Sequence, residues 1–220
     1  MRILHNDISC NHKFMKPPEH KMEGGNPQIK VIMLGDSAVG KTTLVGRWCD
    51  DKYSSNHQPT IGAAFKKLTI EMEEGKQYDL VIWDTAGQET YREQVALFCR
   101  DANAAMIVFN VTIKETFQSL PHWIEHLRKS GDIPFVIVGN KIDLDNRQVS
   151  FDEAMSFAAS YNVPYFDTSA FTSYNVDEAF TDLSHMACDT FQKKPSVETI
   201  QGTDIEKPKP QVAEKKGGCC

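Results

Sequence analysis

Two short stretches of this 220-residue chain combine residue types and spacings that packing alone does not call for. In Gly35-Asp36-Ser37-Ala38-Val39-Gly40-Lys41-Thr42, two glycines bracket four residues and are followed at once by Lys and a hydroxyl. Glycines let the backbone turn its N–H groups inward, and at the start of a helix such groups hold phosphate oxygens. In that chemistry Lys41 reaches the β- and γ-phosphates of a nucleotide, and the Thr42 hydroxyl ligates Mg²⁺, with Thr43 next to it in the opening helix. The second stretch is Asn140-Lys141-Ile142-Asp143. A carboxylate at Asp143 can accept hydrogen bonds from the N1–H and N2–H₂ of guanine, and adenine offers no such pair of donors. A phosphate loop alone also fits ATPases and small-molecule kinases; the tetrapeptide directs the choice of base.

Trp83-Asp84-Thr85-Ala86-Gly87-Gln88-Glu89 completes the set. Asp84 closes an apolar run and can reach the metal through water. Gly87 has no side chain, so its N–H can approach a γ-phosphate and swing away when that phosphate leaves. Gln88 can orient a water for in-line attack, which with Lys41 makes it the candidate catalytic residue.

These groups need rigid elements to bring them together. Residues 29–34 form a short apolar run ending at the glycine loop, and 41–49 read as helix. Residues 64–72 alternate like a strand, 73–76 read as a turn, and 78–83 as the returning strand. Further β-like runs fall at 104–110, 133–139 and 164–168, with helical patterns at 114–129, 151–160 and 176–191. Strands alternating with helices imply an α/β fold, a parallel sheet covered on both faces with one antiparallel hairpin strand. Ligands of such sheets bind at the carboxyl ends of the strands, where each motif above falls.

Composition removes several other classes. Basic residues number 24 against 30 acidic, a net charge of −6, which disfavours a sequence-independent grip on nucleic acid. No apolar stretch approaches the roughly 18–20 residues of a membrane-spanning helix, and the first ten residues make a poor secretory signal. Cys10, Cys49, Cys99 and Cys188 are scattered without metal-like pairing and read as reduced structural thiols. His5, His12 and His20 sit in a segment rich in Pro and Gly and read as an ordinary arm. Asn110-Val111-Thr112 matches a glycosylation acceptor, a chance match in a cytosolic chain.

Taken together, the motifs resemble those of the Ras-superfamily small GTPases, specifically the Rab branch, over residues 28–191. Gln58-Pro59-Thr60-Ile61-Gly62-Ala63-Ala64-Phe65 is similar to the Rab first switch, and the resemblance implies that Thr60 is the second protein ligand of Mg²⁺. Tyr53 matches the aromatic that shields the guanine. Thr168-Ser169-Ala170 matches the last base-contact loop, in which the Ala170 N–H meets the guanine oxygen. Three departures stand out. Phe171 occupies a position where the family carries Lys, which predicts a looser hold on nucleotide. Thr90 replaces an Arg, and Phe98-Cys99-Arg100-Asp101-Ala102 replaces a paired-Tyr-Arg-Gly-Ala run. Ala38 and Ala63-Ala64 are similar to early-endosomal Rabs.

The resemblance implies a P-loop G domain: a six-stranded, mainly parallel sheet with one antiparallel strand and helices on both faces. It implies a GTP/GDP switch that hydrolyses GTP slowly and recruits effectors to intracellular membranes in vesicle trafficking. The implied partners are an exchange factor, a GTPase-activating protein, a prenyl-binding chaperone of the GDI kind and effectors. The expected organisation is a flexible leader at 1–28, with Met22 a candidate start, a G domain at 29–192 and a flexible tail at 193–220. Cys219 and Cys220 end that tail and match the Rab signal for two prenyl groups, the number that gives stable rather than reversible attachment to the cytoplasmic face. Two other readings compete: an adaptor that holds nucleotide without switching, motivated by Phe171 and the residues after Gln88, and a Ras- or Rho-like signalling GTPase, against which the terminal Cys pair weighs.

Overall fold

The structure, a computed structural model, describes residues 1–4, 10–11, 25–53, 60, 62–86 and 95–193. In chain order the elements are β1 (Arg2–Leu4), β2 (Cys10–Asn11), β3 (Gln28–Leu34), α1 (Lys41–Asp50), β4 (Ala63–Glu71), β5 (Gln77–Thr85), α2 (Val95–Cys99) and β6 (Ala104–Asn110). They continue with α3 (Lys114–Gln118), α4 (Leu120–Lys129), β7 (Phe135–Asn140), α5 (Phe151–Ser160), β8 (Tyr165–Thr168) and α6 (Val176–Lys193). The sheet order is β1-β4-β5-β3-β6-β7-β8, with β2 also pairing to β4. Strands β5, β3, β6, β7 and β8 run parallel, and β4 is antiparallel to β5. These six are the sheet the sequence implies.

Alternation along the strands divides the core in two. Ile29, Val31 and Met33 of β3 face α1 and α6 with Met106 and Val108, while Ile32 and Leu34 face α2 to α5 with Ile107 and Phe109. This is the period-2 reading of a strand buried on both sides. On the first face Trp48 of α1 stacks on Phe180 of α6 at 4.5 Å between ring centres. On the second, Trp123 and Leu127 of α4 are fully buried. Burying each such side chain contributes roughly 1.5–3 kcal/mol.

The elements depart from expectation where local chemistry intervenes. The helix expected at 114–129 is two helices meeting at Ser119. Pro121 is the cause: it has no N–H to donate and its ring collides with the carbonyl four residues back, so it fits only the first turn of a new helix. The strand expected at 133–139 is Phe135–Asn140, starting just after Pro134. α5 begins where Ser150 Oγ accepts from the Glu153 N–H at 3.1 Å, an N-cap the pattern did not use.

Two short pieces of the leader join the sheet. The leader was expected as a flexible arm, yet Arg2, Ile3 and Leu4 pair antiparallel with Glu71, Ile70 and Thr69, and Cys10 and Asn11 with Lys66 and Phe65. Without them β4 would be a bare sheet edge, whose unpaired N–H and C=O groups seek a partner. Ile3 packs against the first core cluster, so the short apolar patch at the N-terminus has a use that its length alone did not suggest.

Candidate functional site

The carboxyl ends of the parallel strands converge. Register places Asp84 of β5 beside Met33 of β3, and Asn110, Asn140 and Thr168 level with one another across β6, β7 and β8. β3 gives way to the glycine loop, which wraps into α1. Gly35 has φ 132° and a Cβ there would collide with the carbonyl oxygen of Val108; Gly40 has φ 103° and a Cβ would strike the Asn140 amide. Only glycine meets both demands. Ala38 also sits left-handed, at φ 60°. Ser37 and Ala38 are exposed and Val39 is buried, which leaves the rim of the loop to its backbone. Gly40 caps α1 with no side chain and the first turn holds no acidic residue. The N–H groups of Lys41, Thr42 and Thr43 thus open toward an anion at the positive end of the helix dipole.

Lys41 is 5% exposed, and its Nζ donates to the carbonyls of Gly35 at 2.7 Å and Asp36 at 2.8 Å. Burial lowers its pKa to about 8, against the opposing pull of Asp84 and Asp36. The Asp36 carboxylate itself is held by Ser119 Oγ at 2.6 Å and Trp123 Nε1 at 3.0 Å, across the α3–α4 break. Neither partner was singled out from the sequence; a buried Trp near a Pro-broken helix is ordinary core until the fold brings it here.

Three oxygens gather beside this loop. Thr42 Oγ1 donates to Asp84 Oδ2 at 2.5 Å and lies 2.9 Å from Thr60 Oγ1. Neighbouring ligands of an octahedral Mg²⁺ at 2.0–2.1 Å stand about 3 Å apart, and hydroxyl and carboxylate oxygens are the donors it takes. The set fits that ion. Thr60 lies two residues before Gly62, whose carbonyl accepts from the Ala86 N–H at 2.8 Å. Gly87, Gln88 and Thr90 lie outside the described residues, as do Cys219 and Cys220.

The base motifs meet on Asn140. Its Nδ2 donates to the Val39 carbonyl at 3.0 Å, tying the base end to the phosphate loop. Its Oδ1 accepts from the Thr168 hydroxyl and the Ala170 N–H, each at 3.3 Å. Asp143 Oδ1 accepts from Ser169 Oγ at 2.6 Å, which in turn accepts from the Thr172 N–H. Lys141 is left-handed at φ 70°, and burial lowers its pKa. Asp143 is exposed while Ser169 and Ala170 are buried, so the carboxylate stands at a rim and the loop beneath it is fixed. Tyr53 and Phe171 are half-exposed and meet edge to face at 5.1 Å.

Sequence reasoning missed two further supports. Arg147 forms a two-pronged ion pair with Asp167 at 2.6 and 2.9 Å and donates from Nε to the Val149 carbonyl, joining the segments behind both base loops. The phenol of Tyr165 also donates to Asp167. Arg47 of α1 donates to the carbonyls of Ala170 and Phe171. The available signal was weak: charged residues flanking the two motifs, with nothing in the spacing to pair them.

Other expectations find their places. Asn110 is 2% exposed, and its Oδ1 accepts from the Thr112 N–H and hydroxyl, so the glycosylation match is an internal turn. Cys49, Cys99 and Cys188 are free and buried, and burial pushes the thiols of Cys99 and Cys188 up to about 11, which makes them poor nucleophiles. Asp101, at the departure from the family's glycine, takes φ 61°, a conformation Asp tolerates better than most residues. Among the described residues no helix is long and apolar enough to cross a membrane.

Comparison with known proteins agrees with this geometry. The model of the Ras family matches residues 30–189. Human Ras-related protein Rab-21 is 38% identical over 207 residues, covering 87% of this chain and 90% of its own. Ras-related protein Rab-2B of Dictyostelium discoideum is 41% identical over 201 residues, covering 89% and 99%. Human Ras-related protein Rab-22A is 37% identical over 196 residues, covering 88% and 98%. The adaptor and the Ras- or Rho-like readings are not favoured beside these relatives. Family membership implies guanine-nucleotide binding, and the chain belongs to the Ras family as a divergent Rab-like small GTPase of vesicle trafficking.

Proposed function

We propose that Lys41, Thr42, Thr60, Asp84 and Gln88 form the hydrolytic centre of a switch that cycles between GTP and GDP. The meeting of Thr60 Oγ1 and Asp84 Oδ2 on the Thr42 hydroxyl, at 2.9 and 2.5 Å, carries this reading, because Thr60 belongs to a loop and would leave the cluster when its ligand is lost. On binding GTP, Lys41 exchanges the carbonyls of Gly35 and Asp36 for β- and γ-phosphate oxygens. The N–H groups of the loop from Gly35 to Thr43 surround the same phosphates. Thr42 and Thr60 would hold Mg²⁺ directly and Asp84 through water; the ion, when bound, neutralises charge building on the bridging and γ-oxygens. Gln88 orients a water whose oxygen bonds to the γ-phosphorus as the bond to the β–γ bridging oxygen breaks, yielding GDP and phosphate. The N–H of Gly87 senses the γ-phosphate and is released with Thr60 when it departs.

At the other end, Asp143 takes the N1–H and N2–H₂ of guanine, the Ala170 N–H its oxygen, and Asn140 holds the two loops in register. Tyr53 covers the base and Ser169 fixes Asp143. The tail beyond α6, with Cys219 and Cys220 prenylated, would attach the domain to the cytoplasmic face of an intracellular membrane. Exchange factor, activating protein, GDI-like chaperone and effectors would read the switch there.

The test is single-turnover hydrolysis of bound GTP by the full chain, with and without Mg²⁺. Slow turnover that needs Mg²⁺, and that Gln88→Leu reduces at least tenfold, is expected. Equal rates in the mutant would remove Gln88 from the mechanism.

A further inference from the structure

We propose that Phe171 and Tyr53 close on the guanine base as two aromatic walls whose spacing is set by Arg47, an inference that rests on the nucleotide reading above. Phe171 stands where the family resemblance places Lys, and that change predicted a weaker hold. The geometry gives Phe171 a different means of holding the base. Its ring meets that of Tyr53 at 5.1 Å and 72°, the two remain 57% and 42% exposed, and Phe171 lies two residues after Ser169, which holds Asp143. Rings left this open lose little by parting and gain apolar cover from a flat base between or against them.

Arg47 ties both walls to α1. Nε donates to the Ala170 carbonyl at 2.8 Å and Nη2 to the Phe171 carbonyl at 3.2 Å, while Nη1 pairs with Asp51 at 3.0 Å. Its guanidinium carbon lies 5.9 Å from the centre of the Tyr53 ring. The side chain is 15% exposed. Three nitrogens of one planar group hold three acceptors here, the Ala170 and Phe171 carbonyls and Asp51, and a lysine would have to serve all three from the single nitrogen of its ammonium. Because α1 starts at the phosphate loop, Arg47 fixes the walls relative to the phosphates as well. It is a positioning residue and acts through the loop that carries Phe171.

The experiment follows release of GDP from the full chain. Phe171→Ala should speed release about 5- to 100-fold, the range for losing one base–aromatic stack. Phe171→Lys should restore slow release but make it more sensitive to salt than in the wild type, because charge then replaces stacking. Arg47→Lys keeps the charge and loses the fork. It should speed release in the wild-type background and add less than twofold to Phe171→Ala; full additivity would overturn the positioning role. Phe171→Trp supplies a spectroscopic readout, since Trp48, Trp83 and Trp123 are all buried and only the new indole is open. Its emission should be quenched on adding GDP. Wild-type release from Phe171→Ala, or no quenching in Phe171→Trp, overturns the walls while leaving the nucleotide reading intact. A wild-type chain that retains no GDP overturns both.

Discussion

At the phosphate end of the proposed site the groups on offer to a ligand are backbone N–H groups, one buried lysine and three clustered oxygens. At the base end they are side chains on loops, two of them rings about half open to solvent. The first end is built by chain geometry: two glycines at φ 132° and 103° leave no room for another residue. The second is built by side-chain bonds that substitutions can trade, as Phe171 for a lysine shows. The phosphate end should therefore carry affinity and be intolerant of change, and the base end should carry choice and tune the rate of release.

Breaking the phosphate end tests this most severely. Lys41→Ala removes a buried cation whose charge-assisted hydrogen bonds to phosphate are worth on the order of 3–4 kcal/mol. GDP should bind about 10²- to 10³-fold more weakly, measured by titration calorimetry. That loss should exceed the loss from Phe171→Ala; comparable losses would erase the distinction between the two ends.

Acidity probes the same lysine without mutation. Its pKa of about 8 in the free protein lies below the ordinary 10.5 because burial disfavours the charged form. Beside phosphate anions the proton is retained, so above pH 8 binding must take up a proton. The dissociation constant for GDP should then rise by up to tenfold per pH unit between about pH 8 and 10. The nucleotide-free fold should show the opposite sign. Between pH 8 and 10.5 the unfolded chain holds a proton on Lys41 that the folded chain has shed, so this group's contribution raises stability with pH. Affinity and stability moving together across that window would deny Lys41 its buried place.

Asn140 joins the two ends, and removing it should damage both. Asn140→Ala leaves the Val39 carbonyl and the Ala170 N–H without their partner in a buried site, at about 2–3 kcal/mol. For a domain of this size that lowers the melting midpoint by roughly 5–10 °C. A change confined to base preference, with the midpoint unmoved, would show that the two ends are independent.

What was readable in the sequence follows the same division. Gly35, Gly40, Lys41 and Thr42 are dictated by backbone conformation and lie close together in the chain, so their spacing alone is informative. The six-stranded sheet was legible because both its faces are buried and its strands alternate two cores. Arg47, Ser119, Trp123 and Arg147 were not legible: each supports the site from 20 to more than 120 residues away, through a contact that only the fold creates. Phe171 was noticed as a departure, yet its partner Tyr53 is 118 positions earlier, and a ring pair leaves no periodic trace.

The two sides of the sheet differ as well. β8 bounds the base side with no strand beyond it among the described residues, whereas on the phosphate side β4 is covered by β1 and β2. Ordering a few leader residues costs about 1–2 kcal/mol each in backbone entropy. Cross-strand hydrogen bonds, at about 1 kcal/mol each, and partial burial of Ile3 offset a cost of similar size. The net contribution should therefore be small, and deleting residues 1–11 should move the melting midpoint by less than about 3 °C. The effect should be local instead. Amide hydrogen exchange should quicken along β4 from Phe65 to Glu71, where the leader pairs, and stay unchanged in β7 and β8. GDP release should shift by less than twofold, because the described leader strands β1 and β2 pair with β4, while Lys41 and Asn140 bond to the glycine loop. Unaltered exchange in β4 would mean that the leader does not pair in solution, and faster exchange in β8 would mean that the two sides of the sheet open as one.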